Sequence, residues 1–367
     1  MNDQLSRRSF ILGSAVLAAG AGLGLSGCSS SSSSGSDSAV EYGEPVGFVV
    51  PVADAANAVW KVDYVNEDLA DDFVHDNWRM SIDEFDDEKV KVNEDLGLNA
   101  DVSREGMDTL QTMGGADFTA KQFDWILAQA KERAGVGPDQ ITIMDLRGED
   151  HGLIDGSVFM YWIKDNYVNE GRTTAEVLEV EKGLLDDLRA QGTVEMYATD
   201  DNWSADTNSP MLSFDSPEIL SEEDFVTSKG CGYIRLATTN HFRPDDGTID
   251  EFLDFMASLP EDEWLFMHCY AGEGRTTAFM VMTDIYKNYA VASFDDIAAR
   301  QGLIGPVDVR TEPLTTGKAH YKKKASVERR VFLQNFYVFA KETNFEGATW
   351  TEWARDHHIA LEYYPEL

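Results

Sequence analysis

The stretch HCYAGEGRT, His268 to Thr276, constrains the fold more than any other part of the chain. A cysteine and, six residues on, an arginine bracket a loop with glycines at 272 and 274. The apolar run Trp264 to Met267 precedes it as a strand, and a helix from Thr276 to about Tyr286 follows. Strand, tight loop and helix together let backbone N–H groups turn inward around an anion, with the helix dipole adding partial positive charge. Gly272 and Gly274 permit the dihedrals this requires, and the Arg275 guanidinium can hold two phosphate oxygens in a fork. The same field lowers the pKa of Cys269, so that it attacks phosphorus as a thiolate. His268 supports the thiolate, and the Thr276 hydroxyl can bond the sulfur as it leaves. The loop residues Tyr270, Ala271, Gly272, Glu273 and Gly274 then form the substrate cradle. Glu273 is expected to point outward, where its charge does not oppose phosphate, and Tyr270 to sit at the mouth, within reach of substrate.

The chain around this loop is acidic. Thirty basic residues against 66 acidic ones give a net charge of -36 over 367 residues. That excludes a nucleic-acid binder relying on broad phosphate neutralisation, so any polyanion must be met by a local cluster of Lys and Arg. A hydrophobic fraction of 43% is ample for a globular core. No internal repeat is present, and the Cys-x5-Arg pattern preceded by His occurs once.

The N-terminus reads as an address. Ser6-Arg7-Arg8-Ser9-Phe10 is a twin-arginine pattern, and the apolar stretch to Leu25 is too short and Gly-rich for a membrane span. Leu25-Ser26-Gly27-Cys28 resembles the lipobox of bacterial lipoproteins, in which Cys28 is acylated. The expected organisation is a lipoprotein signal over 1–28, a Ser-rich tether over 29–40 and a catalytic domain over 41–367. The expected location is the outer side of the bacterial cytoplasmic membrane, reached by the twin-arginine route and held by the lipid. Cys231 and Cys269 remain, too few for a disulfide framework, and their expected places at opposite ends of strands argue against a bridge between them.

Along the domain, Val59 to Glu105 reads as acidic and loop-rich. Phe118 to Arg133 is expected to be an amphipathic helix capped by Thr119, and Gln140 to Leu146 a strand that ends in a functional loop. A helix is expected over Thr174 to Gln191, then short antiparallel strands between Gly192 and Phe225. Strand Gly232 to Ala237, helix Ile249 to Leu259, strand Trp264 to His268 and the loop-helix pair follow in the rhythm of a largely parallel α/β sheet. The last helix is expected over Ser326 to Thr343.

The catalytic loop places the chain among cysteine-dependent phosphatases of the protein-tyrosine-phosphatase (PTP) fold. The longer stretch Trp264 to Asp284 resembles the bacterial PTP-like phytases, which dephosphorylate myo-inositol hexakisphosphate. Asn77 to Ser81 (NWRMS) is similar to the family's N-[FW]-R-x-S, Ser103 to Asp108 (SREGMD) matches S-R-E-G-M-D, and Asp145 to Gly152 (DLRGEDHG) matches D-L-R-x-E-x-H-G. The resemblance covers roughly residues 76–353. It implies a central mixed, largely parallel sheet flanked by helices, with a small partial β-barrel subdomain including about 157–230. It also implies an inositol polyphosphate or other phosphomonoester substrate, and neither metal nor organic cofactor. Arg79, Arg243, Lys164 and the Lys318, Lys322, Lys323 and Lys324 cluster are the basic residues expected around the pocket, with Lys322 and Lys324 falling near the family's C-terminal lysines.

One departure bears on chemistry. The family takes its general acid from a T-D-H segment, and this chain has Thr239-Asn240-His241. Asn240 cannot give a proton to the leaving oxygen, an aid typically worth about 10²- to 10⁴-fold in rate. His241, Asp245, Asp246 and Asp150 are the candidates to replace it. Three functions therefore stand: an inositol polyphosphatase with a displaced acid, a phosphatase for aryl phosphates such as phosphotyrosine, whose leaving group needs less help, and a phosphate-binding module without turnover.

Overall fold

The computed structural model describes residues 48–51, 58–99, 101–163, 167–198, 211–311, 320–359 and 363–366. The signal, the tether, Cys28, Lys164 and Lys318 lie outside the described residues. The first half carries β1 (Phe48–Pro51), β2 (Val59–Tyr64), β3 (Arg79–Met80), α1 (Asp87–Leu96), β4 (Thr112–Gly115), α2 (Ala120–Ala134), β5 (Ile141–Arg147), β6 (His151–Ile154), β7 (Ser157–Trp162) and α3 (Thr174–Arg189). Then come β8 (Thr193–Ala198), β9 (Met211–Asp215), β10 (Ile219–Leu220), α4 (Glu222–Ser228), β11 (Gly232–Thr238), α5 (Asp246–Ser258) and β12 (Trp264–His268). The chain closes with α6 (Gly274–Asn288), α7 (Phe294–Ile304), α8 (His320–Thr343), α9 (Trp350–Asp356) and β13 (Tyr363–Glu366).

The central sheet has the order β11-β5-β12-β4-β3, parallel except for β3. Strands β4, β5 and β12 are buried at every position, as parallel strands covered on both faces must be. On one face Phe123, Ile126 and Ala130 of α2 and Phe225 and Val226 of α4 pack on Ile141, Ile143 and Phe266. On the other, α5, α6, α8 and α9 surround a core containing Phe252, Phe279, Phe336 and Trp350. The α2 helix starts where its sequence requires: Thr119 and Gln122 form a reciprocal capping box, and Gly135 closes the last turn at φ 76°.

A second sheet, β10-β6-β7-β2-β8-β9, has its own core of Val62, Phe159, Leu185, Val194 and Met196, covered by α3. The span 157–230 supplies β7 to β10, but β2 and β6 complete the sheet from outside that range. Val59 to Glu105 is correspondingly less irregular than its composition suggests. It holds β2, whose buried positions include Lys61 and Asp63, paired at 3.1 Å, and so shows no apolar alternation. The boundaries of α6 and α8 also differ from expectation. The first starts at Gly274, inside the loop, and the second at His320 rather than Ser326.

Candidate active site

Parallel strands β5, β11 and β12 end together at Arg147, Thr238 and His268, and the loops that follow them meet there. Cys269 is 3% exposed, and its Sγ accepts a hydrogen bond from Thr276 Oγ1 at 3.2 Å. Burial alone would push the thiol up, but the Arg275 charge and the Thr276 hydrogen bonds outweigh it and hold Cys269 below its ordinary value. Helix α6 begins with no side-chain cap from Glu273, so that carboxylate does not occupy the N–H groups of its first turn. Glu273 itself is exposed, in line with the outward orientation expected for it.

Gly272 lets the loop close. At φ +68° it lies so near the end of β4 that a Cβ would fall 2.3 Å from the Gly115 carbonyl carbon. Arg79, expected beside substrate, is instead almost fully buried beneath the loop. Its Nη1 donates to Asn77 O and Gly272 O at 2.8 and 2.9 Å, and its Nη2 to Thr277 Oγ1 at 3.2 Å. Asn77 Nδ2 adds a bond to Ala271 O at 2.7 Å. The NWRMS segment thus holds the loop's carbonyls outward, which leaves its N–H groups for the other side.

Arg275 is held by a residue whose role sequence reasoning did not assign. Glu149 accepts from Nη1 and Nη2 at 2.7 and 3.0 Å, the two-oxygen geometry a phosphate would match, and Thr238 O accepts a further bond at 3.0 Å. The signal was present in the quoted DLRGEDHG motif, where Glu149 is one of the two fixed carboxylates, with Asp145. A second unassigned residue is Arg329 on α8. A Cβ on Gly274 would lie 2.3 Å from its Nη1, and that nitrogen is buried with no hydrogen-bond partner among the described residues. Burial lowers Arg329 to about 10 while the Cys269 charge pulls it back up, so it is a cation packed against the loop. Among the expected lysines, Lys322 and Lys324 lie on the first turns of α8, the helix that carries Arg329.

Tyr270 does not stand free at the mouth. It is half-buried, its hydroxyl accepts from Lys61 Nζ at 3.2 Å, and its ring lies under Lys61 and Arg147, 5.0 and 5.5 Å from the charged groups. Arg147 is in turn bound to Asp117 at 2.6 Å. Tyr270 therefore ties the catalytic loop to β2 of the second sheet.

In the neighbouring loop after β11, Asn240 Nδ2 lies 3.2 Å from His241 Nε2, and His241 takes a left-handed backbone at φ 71°. Asp245 is committed as the cap of α5, accepting from Thr248 N at 2.9 Å. Asp246 Oδ1 accepts from both Arg243 Nη1 and Trp350 Nε1 at 2.9 Å. Arg243 is 1% exposed and lies over the Phe332 ring, so it braces the loop from behind rather than lining a pocket. Asp150 is buried against Glu181, Arg235 and His151; burial, with the Glu181 charge, pushes it up to about 6. Of the proposed replacements for the missing acid, His241 adjoins Asn240 and meets its amide, while its ring lies edge-on to Tyr167.

Below the loop, Asp145, His151 and Glu222 bring ligand-type atoms within 4.8 Å of one another. Two cations already occupy this cluster. Arg235 Nε is 3.1 Å from Asp145 Oδ2, and Asp145 pushes His151 up to about 10 against the opposing effects of burial and Arg147. Charge balance there does not call for a metal. Cys231 adjoins the opposite end of the sheet, with β5 lying between β11 and β12. Both it and Cys269 are free, and burial pushes Cys231 up to about 12.

Comparison with known proteins agrees with this geometry. The PTP-like phytase family model, described by inositol hexakisphosphate, matches residues 144–287. The PTP-like myo-inositol phosphatase of Mitsuokella multacida, solved in complex with myo-inositol-(1,3,4,5)-tetrakisphosphate, superposes with a TM-score of 0.72 at 33% identity, over 84% of this chain and 49% of that one. A PTP-like phytase from Bdellovibrio bacteriovorus gives 0.55 at 32% identity, over 68% of this chain and 87% of that one. Effector protein hopD2 of Pseudomonas syringae pv. tomato is 29% identical over 234 residues, 63% of this chain and 49% of that protein. The chain thus spans about half the length of the Mitsuokella and Pseudomonas relatives, with 49% coverage of each. A buried, acidified cysteine in an arginine-closed loop, on a fold shared at over 30% identity, leads to one conclusion: the chain belongs to the PTP-like phytase family of the PTP superfamily.

Proposed function

We propose that the chain hydrolyses phosphomonoesters of inositol polyphosphates through a cysteinyl-phosphate intermediate. The observation that carries this is the Cys269 thiol, held below its ordinary value between Arg275 and Thr276 at the start of α6. The substrate's phosphate takes the loop N–H groups and the Arg275 N–H donors that Glu149 and Thr238 leave open, while Arg329 adds charge from α8. Thiolate Sγ attacks phosphorus, an S–P bond forms, and the P–O bond to the inositol oxygen breaks as that oxygen gains a proton. Water then attacks the phosphorus of the intermediate and gives a proton back to the group that protonated the inositol oxygen, the S–P bond breaks with Thr276 stabilising the departing sulfur, and inorganic phosphate leaves.

The proton is the costly part of this scheme. With Asn240 in the acid position and Asp245 and Asp246 committed, we assign the proton transfer to His241. The same observation favours, as a second reading, substrates with easy leaving groups such as aryl phosphates. Phosphate release from inositol hexakisphosphate by wild type, abolished in Cys269→Ser, is the expected result. Equal release by the two proteins would refute the nucleophile, and no release by wild type from either inositol hexakisphosphate or p-nitrophenyl phosphate would leave a binding module.

A further inference from the structure

The residue before the nucleophile is held in an unusual way. His268 ends β12, is fully buried, and donates from Nε2 to Glu222 Oε1 at 2.7 Å. Its Nδ1 has no hydrogen-bond partner among the described residues, and Asp145 Oδ1 lies 3.9 Å from Nε2, beyond hydrogen-bond reach. The other restraints on the ring are aromatic: Phe266 stacks at 5.8 Å and 13°, and Phe118 tilts against it at 5.1 Å. Glu222 is therefore the carboxylate that sets the orientation of the His268 imidazole, on the residue that precedes Cys269 in the chain.

Glu222 is itself fixed. It is 2% exposed, opens α4 behind the Ser221 cap, and its second oxygen accepts from His151 Nε2 at 3.1 Å. The chain reaches it from β10, which pairs with β6, so the second sheet determines where the carboxylate lies. Around the pair stand Asp145 of β5, Arg235 of β11 and Glu181 of α3, with Tyr233 bonded to Asp145 at 2.9 Å and His75 near enough for its charge to interact with that of His268. Burial opposes its charge, yet His268 and the hydrogen bonds from both rings hold Glu222 down at about 2, so it stays ionised.

We propose that Glu222 is a positioning residue for the nucleophile: its two oxygens, bonded to His151 and His268, fix the imidazole before Cys269 and so the loop geometry that keeps the thiolate. This rests on the proposed nucleophilic role of Cys269. The second sheet thereby gains a function, since it registers the catalytic loop through Glu222 as it does through Lys61 and Tyr270.

The test reads the thiolate without turnover. The rate of Cys269 alkylation by iodoacetamide against pH, with Cys269→Ser as the blank, gives the thiol midpoint in wild type and in Glu222→Gln. Loss of positioning raises that midpoint by about one unit and slows phosphate release about tenfold. Deleting a negative charge with no change in geometry would lower the midpoint instead, so a lowered or unchanged midpoint overturns the proposal. In a His268→Asn background the Glu222→Gln effect should vanish; persistence there also overturns it. Glu222→Asp, which keeps the charge but withdraws it from His268, should shift the midpoint the same way and serves if Glu222→Gln folds poorly by circular dichroism. A wild-type midpoint at the ordinary thiol value would defeat the underlying nucleophile reading, a result distinct from an unchanged Glu222→Gln.

Discussion

The loop from His268 to Thr276 and the loop from Thr239 to Asp245 follow parallel strands of one sheet and end at the same rim, yet they carry chemistry to different degrees. The first is gripped on every side: Arg79 and Asn77 from below, Glu149 and Thr238 on Arg275, Lys61 on Tyr270, Glu222 on His268. The second is anchored as firmly at its back, with Arg243 and Trp350 converging on Asp246 and Phe242 buried beside Tyr167. At its front, however, it presents an amide. The difference separates two properties that usually travel together. Packing and hydrogen bonds keep the shape of the second loop, while position 240 carries an amide, which has no proton to give, and leaves that task in the proposed scheme to His241.

Three substitutions sharpen the contrast. Arg275→Lys keeps the charge but loses the two-pronged grip, and phosphate release should fall by about 10²- to 10³-fold in steady-state assays, with the fold unchanged by circular dichroism. An undiminished rate would mean that the guanidinium fork is dispensable. Gly272→Ala forces a Cβ onto the Gly115 backbone at a left-handed φ, and thermal unfolding should show a loss of about 2 to 3 kcal/mol. An unchanged Tm would show that the loop is not seated on β4 as described.

The smallest effect falls behind the second loop. Glu328 is 6% exposed beside Arg243, and burial raises its carboxyl from 4.5 to about 7. Between those values the folded chain holds a proton that the unfolded chain has released, so this group makes stability fall as pH rises through the window. Glu328→Gln should therefore lose less Tm than wild type between pH 4.5 and 7, by a few degrees or on the order of 1 kcal/mol. Identical pH slopes would place Glu328 outside the brace.

Legibility in the sequence followed how local each signal is. The catalytic loop could be read because its cysteine, glycines and arginine lie within seven residues, and α2 because its cap and periodicity do. The Glu149 partner of Arg275 lies 126 positions away, and only the motif around it hinted at a role. Arg329 and Glu222 carried no pattern, since each acts through a contact made by packing between distant elements. Strand β2 was hidden for a related reason: Lys61 and Asp63 are buried along with Val62 because they pair with each other and with Tyr270 and Arg147, which erases the usual alternation. For Arg79 the residue was found, and its place beneath the loop became visible only once β3 was seen to pair with β4.

The central proposal, a Cys269 nucleophile beside an acid position that carries Asn240, is tested most directly by one ratio. The rate of Asn240→Asp relative to wild type is measured on inositol hexakisphosphate, whose leaving oxygen needs a proton, and on p-nitrophenyl phosphate, whose leaving group does not. Restoring the carboxyl should raise the first rate by about 10²-fold and leave the second within about threefold. Equal gains on both substrates, or none on the first, would contradict the account.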